Sequence, residues 1–362
     1  MAAPHVDFEV RRSDLREHRT LTGERPSIGP GQVLLHLDHA ALTANNITYG
    51  AFGDAMGYWK FFPAADPAWG RIPVWGFGDV EASMVDGVAE GERVYGYFPM
   101  STHLVVEPDR IAPRSFTDGA AHRQPLPPVY NQYARMPDPM DESTEHLHAV
   151  LRPLFTTSFL IDDFLADEGS FDAMSVVIAS ASSKTALALA AVLAGRGGVE
   201  VVGLTSERNA GFVADVGYYD RTVTYGDVAS LDPSVPTVLV DMGGDAEVLR
   251  EVHGHFGASL RHSCQVGATH WEQVEFGVEL PGPVPTLFFA PDRIRQRVTD
   301  WGATGFAERV DGAWDQFVDS AAGWLEVVVH RGPEAVGAAY DDVVAGSVAP
   351  HQAYVIALDT DG

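Results

Sequence analysis

The chain has one cysteine, Cys264, in 362 residues. A single thiol cannot close an internal disulfide, and the sequence has no CxxC or Cys/His cluster of the kind that holds a structural zinc. Positive charge is also scarce: 24 Lys and Arg face 50 Asp and Glu, a formal net charge of −26. Such a surface repels phosphate backbones and anionic lipid, which sets nucleic-acid and membrane-surface partners aside. No run approaches the ~20 consecutive apolar residues of a membrane span. Met1–Arg12 lack the basic start and apolar run of a secretory signal. The expectation from these absences is a soluble, cytoplasmic protein. With 46% hydrophobic and 20% charged residues the composition is that of a globular chain, and the length suits two domains better than one.

The first third reads as short strands separated by turns. Gln32–Asp38 alternates, with Val33, Leu35 and Leu37 on one face and His36 and Asp38 on the other. The segments 72–80, 81–85, 93–97 and 103–107 continue the pattern between Gly87, Gly91 and Pro99. Many short strands with frequent Gly and Pro predict a compact β-barrel. Ala120–Pro139, with five prolines, breaks the rhythm and reads as a long ordered loop. From Ser143 the period becomes helical, with one helix carrying Leu147, Val150, Leu151, Leu154 and Phe155 and another over 158–165. Ser175–Ala179 is a continuous apolar run, as in a parallel strand buried on both faces. A small-residue helix follows over 185–194. Strands at 199–204, 222–224, 237–241 and 262–267 alternate with helices at 210–215 and 246–256, which predicts a doubly wound parallel sheet. The tail carries a helix over 332–345 and a last strand over 354–358.

A strand, a tight turn and a small-residue helix form a mononucleotide-binding unit, because the free N–H groups at the helix start accept a diphosphate. Here the turn has no glycine, so the GxGxxG fingerprint fails. Ser180, Ser182 and Ser183 are nevertheless small and carry donors, and Lys184 adds a cation. An ordinary strand–helix connection with a Ser or Thr cap explains the same residues. The second strand ends in Thr205-Ser-Glu-Arg208 rather than in a ribose-binding acid. Thr205, Ser206 and Arg208 suit a 2′-phosphate and favour NADP over NAD, with Glu207 a weak argument the other way.

The order of these parts resembles the medium-chain dehydrogenase/reductase superfamily over nearly the whole chain. Pro30-Gly-Gln-Val-Leu-Leu-His-Leu, Ala41-Leu-Thr-Ala-Asn-Asn46, Gly87-Val-Ala-Glu-Gly-Glu-Arg-Val-Tyr-Gly96 and His103-Leu-Val-Val-Glu-Pro resemble its first domain. Val176–Ser206 and Ala214–Asp220 resemble its cofactor half, and Val343–Pro350 with Tyr354–Leu358 its closing helix and strand. The resemblance implies an α/β fold: a GroES-like β-barrel domain from residues 1–150 and 320–362, and a doubly wound Rossmann domain from 151–319. It also implies a homodimer and an oxidoreductase using NADP(H). Where zinc members carry Gly-His-Glu, this chain has Gly76-Phe77-Gly78, so the nearest group is the zinc-free, quinone-oxidoreductase-like one, and no metal is expected. The Asn45-Asn-Ile-Thr-Tyr49 segment and the Pro-rich insertion mark a side branch of it.

In that group an Asn beside the nicotinamide matches Asn46. Tyr49 and Tyr130 are the other candidate catalytic groups, as phenols that donate to a substrate carbonyl. Tyr58 and Trp59 with Phe61 and Phe62 would line a hydrophobic or flat substrate, although plain core packing explains the phenylalanines equally well. In the insertion, His122 and Arg123 could hold a carboxylate, with Asn131 and Tyr133 beside them. A Pro-rich surface flap accounts for these residues too. Lys184 reads as a phosphate ligand or, when desolvated, as an amine nucleophile. The leading expectation is NADPH-dependent, zinc-independent reduction of an enone, quinone or carbonyl. A retro-aldol-type lyase on the same fold and a non-catalytic NADP-binding protein are the alternatives.

Overall fold

The computed structural model describes residues 4–136, 138, 140–267 and 280–359. Pro137 and Pro139 of the Pro-rich segment, residues 268–279 of the expected Rossmann domain and the first and last three residues of the sequence lie outside the described residues. The chain divides into two compact units, Met1–Val150 with Glu326–Gly362, and Leu151–Leu325.

In chain order the first unit contains β1 (His5–Arg11), β2 (Asp14–Gly23), β3 (Val33–Leu42), α1 (Ala44–Ala51), β4 (Trp69–Gly70) and β5 (Pro73–Ser83). It continues with β6 (Arg93–Pro99), β7 (His103–Val106), β8 (Pro108–Ala112), β9 (Ser115–Asp118) and β10 (Gln132–Arg135). Helix α2 (Glu142–Asp167) carries the chain into the second unit. There follow β11 (Ser175–Ala179), α3 (Lys184–Arg196), β12 (Glu200–Thr205), α4 (Glu207–Val216), β13 (Arg221–Thr224), β14 (Thr237–Asp241), α5 (Ala246–Phe256), β15 (Leu260–Gln265), β16 (Thr286–Leu287) and α6 (Ala290–Ala321). The tail adds β17 (Glu326–Arg331), α7 (Pro333–Val344) and β18 (Gln352–Ala357) to the first unit.

In the first unit a nine-stranded sheet runs β17-β18-β3-β5-β6-β10-β9-β8 with β7 also on β3, beside a three-stranded sheet β2-β1-β4. The last strand, β18, pairs with β17 and β3, so the chain's end completes this sheet. Among the described residues the strand path does not close into the barrel that the strand pattern predicts. Alternation reports which face is buried and carries no information on whether the two edges meet. Gly76 and Gly78 are required at their positions on β5. A Cβ at Gly76 would run into the His39 carbonyl oxygen and one at Gly78 would lie 2.5 Å from that of His36.

In the second unit six strands, all parallel, run β13-β12-β11-β14-β15-β16. Numbered within the sheet this is the order 3-2-1-4-5-6 of a Rossmann domain. The central β11 shows why its sequence is continuously apolar: Val176 and Ile178 enter one core, and Val177 and Ala179 the other.

Three elements differ from the sequence expectation. The two helices expected over 143–165 are one helix of 26 residues that runs through Pro153. Its start is capped by Asp141, which accepts from the Thr144 N–H at 3.0 Å. Helix α6, 32 residues with a break at Gly302 (φ 73°), has no clear apolar period. It is held partly by charge, since Arg293 and Arg297 both grip Asp163 of α2 through Nε at 2.6 and 2.7 Å. Strand β17 is short and partly exposed, and its pairing with β18 is a tertiary fact.

Candidate functional site

The turn between β11 and α3 passes through the left-handed region without a glycine. Ser180 takes φ 55°, in the left-handed region that a glycine would fill at no cost. For an L-residue that costs roughly 1–2 kcal/mol. The turn is tied on all sides. Ala181 N–H donates to Leu204 O of β12 (3.1 Å), and the Tyr219 hydroxyl donates to Ala181 O (2.8 Å). Ser183 caps α3 by accepting from Ala186 N–H at 3.2 Å. Lys184, the first residue of α3, is half-buried, and desolvation pushes its ammonium down to about 8 from 10.5.

Because β11 and β12 are parallel neighbours, the end of β12 lies beside this turn, with Ala179 in register with Leu204. Thr205 is buried, Ser206 precedes α4, and Arg208 is exposed in the first turn of that helix. The sequence reading missed the residues that join the two ends. Asn209 Nδ2 donates to Ser182 Oγ at 3.0 Å, and the Tyr225 hydroxyl lies 3.5 Å from Ser180 Oγ. Asp241, closing β14, accepts from the N–H groups of Gly243 and Gly244 at 2.9 and 3.1 Å. An Asp followed by two glycines at a strand end was the available signal for the last of these.

In the first unit β5 and β6 form an antiparallel ladder in which Trp75 faces Tyr97, Phe77 faces Tyr95 and Asp79 faces Arg93. Residues two apart share a face, so one strip runs from aromatic to charged. At the aromatic end Tyr49, Tyr58, Tyr97 and Tyr130 pack together, with ring centroids 4.7 Å apart for Tyr49–Tyr58 and for Tyr97–Tyr130. Burial raises the pKa of all four phenols, so at neutral pH they are proton-bearing donors. Trp75 Nε1 donates to the Tyr49 oxygen at 3.4 Å. The Tyr97 hydroxyl is fully buried and makes no close hydrogen bond among the described residues, with the Tyr49 hydroxyl as its polar neighbour. Neither Trp75 nor Tyr97 was singled out from the sequence, since a strand aromatic reads as core.

Other candidates are committed to the fold. Asn46 is the third residue of α1; its Oδ1 accepts from Thr43 N–H (2.7 Å), and its Nδ2 donates to Pro73 O (2.8 Å). It therefore fastens helix to strand. Trp59 stands apart from the tyrosines, in space that Cβ atoms at Gly53 and Gly70 would fill. His122 is exposed and bonded to Phe61 O at 3.2 Å. Arg123 does not form a carboxylate grip with it. Arg123 is 1% exposed and pairs with Asp118 (2.8 Å). It also donates to Asn131 Oδ1 (2.9 Å), the Tyr133 oxygen (3.0 Å) and Tyr130 O (2.5 Å). Asn131 returns a bond to Arg123 O, and Tyr133 donates to Tyr97 O, both at 2.9 Å. These contacts anchor the insertion, placing Tyr130 in the aromatic cluster.

No helix among the described residues is long and apolar enough to cross a membrane. No curated protein resembles the chain in sequence. Among solved structures it is similar to CurA from Vibrio vulnificus in complex with NADPH, with a TM-score of 0.67, 14% identity, and 99% of this chain and 100% of that one covered. It is similar to a putative NADPH:quinone reductase from Mesorhizobium loti, with a TM-score of 0.61, 12% identity, and 98% and 99% covered. The human synaptic vesicle membrane protein VAT-1 homolog-like protein matches at a TM-score of 0.55, 15% identity, and 100% and 99% covered. The fold is therefore that of the medium-chain dehydrogenase/reductases, a GroES-like domain with a Rossmann domain. Within that fold, a match over residues 40–349 shows that the chain belongs to the family described as "Protein of unknown function (DUF2855)".

Proposed function

We propose that the protein is an NADP(H)-dependent oxidoreductase that reduces a C=C or C=O bond conjugated or adjacent to a carbonyl, with no metal at that carbonyl. The observation that carries this reading is the arrangement at the head of the parallel sheet. There a left-handed turn at Ser180, Lys184 at a helix start and an exposed Arg208 after the second strand lie on adjoining strands. This donor set fits the cofactor: hydroxyls of Ser180, Ser182 and Ser183, the helix start and Lys184 for the diphosphate, and Thr205, Ser206 and Arg208 for the 2′-phosphate. The NADPH bound to the similarly folded CurA supports it. When bound, NADPH supplies the hydride. The chain's own part is orientation and proton supply, in which Tyr49 and the Tyr97 hydroxyl donate to the carbonyl oxygen and the aromatic walls exclude water. Asn46 holds α1 and thereby Tyr49.

The test is cofactor choice. A charge-assisted hydrogen bond contributes roughly 1.5–3 kcal/mol, so Arg208→Ala should weaken NADPH about 10- to 100-fold while NADH binding hardly changes. Fluorescence titration reads both, and the NADPH loss should shrink at high salt because Arg208 is exposed. Equal weakening of the two cofactors, or wild-type preference for NADH, overturns the assignment.

One observation favours a second reading. Lys184, depressed to about 8 by desolvation, is in part a free amine near neutral pH and could attack a carbonyl as a lyase nucleophile. Borohydride trapping of a substrate adduct on Lys184 would favour it over the redox reading.

A further inference from the structure

At the charged end of the β5–β6 strip lies a cavity of about 900 Å³, distinct from the aromatic cluster and from the serine turn. Its lining includes six carboxylates against three arginines, so its field favours a cation. Asp79 is four residues from Trp75 on β5, about 13 Å along the strand, so a ligand here does not touch a carbonyl held by the tyrosines.

His39 on β3 is 4% exposed and fixes the chemistry of the cavity wall. Its Nδ1 lies 3.0 Å from Asp38 Oδ2. The same oxygen accepts from Arg93 Nη2 at 2.7 Å, an ion pair in which the Asp38 carboxylate only accepts. Nδ1 therefore carries the proton, and in the neutral ring Nε2 presents a bare lone pair. That Nε2 has no hydrogen-bond partner, and 3.7 Å away is Glu145 Oε2, also an acceptor. Two buried acceptors facing each other repel unless a cation lies between them. The distance is too long for a shared hydrogen. It is close to the ~3.4 Å between two ligands of one tetrahedral ion at Zn–N and Zn–O lengths. One ligand atom from each of Asp38, His39 and Glu145 lies within 4.8 Å of the others. His146, one residue on in α2, adds a second buried Nε2 without a hydrogen bond, and its ring centroid is 4.9 Å from that of His39.

We propose that this wall binds one divalent transition-metal ion, ligated by His39 Nε2 and Glu145 Oε2, with Asp38 fixing the His39 tautomer and His146 as the adjacent nitrogen donor. Mixed imidazole and carboxylate donors suit zinc, cobalt or iron in the divalent state. Arg93 accommodates the ion: its Nε keeps Glu145 Oε1 (3.1 Å) and its Nη1 keeps Asp79 (2.9 Å), while Nη2 gives up Oε2. The ion would tie β3 to the start of α2, a stabilising role apart from the reaction.

The experiment is titration of chelator-stripped full-length protein with Co²⁺ and Zn²⁺, followed by calorimetry, by the visible absorption of cobalt and by melting temperature. The expected result is one equivalent bound, with a rise in Tm. In His39→Gln affinity should drop at least about 100-fold, and in Asp38→Asn, which loses the orienting bond, about 10- to 100-fold. If His39→Gln does not unfold cooperatively, Glu145→Gln serves with the same readouts. Absence of saturable uptake by the wild-type chain, or unchanged affinity in the His39 or Glu145 variant, overturns the site.

Discussion

Arg123 and Arg93 sit in the same unit and both bind carboxylates, yet they are built to different plans. Arg123 is fully buried, meets one carboxylate, Asp118, and directs its remaining bonds to Asn131, Tyr133 and a backbone carbonyl. Charge and hydrogen bonding are balanced, and nothing is left for a ligand. Arg93 is 22% exposed at its side chain and is shared by Asp38, Asp79 and Glu145, at 2.7, 2.9 and 2.5 Å. There acceptors outnumber donors, and the Nε2 atoms of His39, which lines a cavity, and of the neighbouring His146 make no hydrogen bond among the described residues. A satisfied cluster maintains the fold, whereas an unsatisfied one has capacity for something the chain itself does not supply.

The largest effect expected from this contrast is on stability. Arg123→Met leaves Asp118 buried without a counter-charge, held only by the N–H groups of Glu107 and Ala120, and should cost about 3–5 kcal/mol, read by urea unfolding. Arg93→Met should cost clearly less, because water reaches two of its three carboxylates, Asp38 and Asp79. Equal losses would erase the distinction between the two clusters.

The same contrast separates two tyrosines. Tyr133 is satisfied by Arg123 and Tyr97 O, while the Tyr97 hydroxyl makes no close hydrogen bond among the described residues and has the Tyr49 hydroxyl as its polar neighbour. Tyr133→Phe should therefore destabilise by about 1–3 kcal/mol. Tyr97→Phe should leave the melting temperature equal or higher, while carbonyl reduction falls. A Tyr97→Phe protein as active as wild type would remove that hydroxyl from the site.

Lys184 extends the comparison to a cation whose pKa is set by desolvation. Its folded value, about 8, lies below the ordinary 10.5, so between these values the unfolded chain holds a proton that the folded chain has lost. The cost of the buried charge is complete below pH 8 and fades as pH rises toward 10.5. Lys184→Met should thus melt higher than wild type at pH 7, with the gap closing above pH 8. A gap that does not change with pH would mean that desolvation is not its cause. The smallest effect belongs to Ser180→Gly, which relieves the left-handed strain and should stabilise by about 1 kcal/mol, without loss of fold at the turn.

Much of the second unit was legible because its elements are governed by local rules. Val176–Ala179 is apolar at every position because both its faces are covered, and the helix after it is made of small residues that let it pack closely. Without glycine the turn departs from the dinucleotide fingerprint, although its small residues and Lys184 still suit a phosphate. The structure shows Ser180 in the left-handed region under ties from Leu204 and Tyr219, which no local rule reveals. Helix α6 was illegible for a related reason. Its buried groups include Arg293 and Arg297, held by Asp163 on a distant helix rather than by an apolar stripe.

By itself the sequence determined the division into a strand-rich and an alternating half, the buried parallel strands and the presence of cations at the expected phosphate end. All of these follow from side-chain period and from caps within a few residues. Only the tertiary structure decided which polar groups are spent and which are left over. Arg123 and Asn46 look as available in the sequence as Tyr97 and His39. The partners that settle the matter for the first two, Asp118 for Arg123 and Pro73 for Asn46, come from other elements of the fold, and hydrogen-bond satisfaction depends on distance in space rather than along the chain.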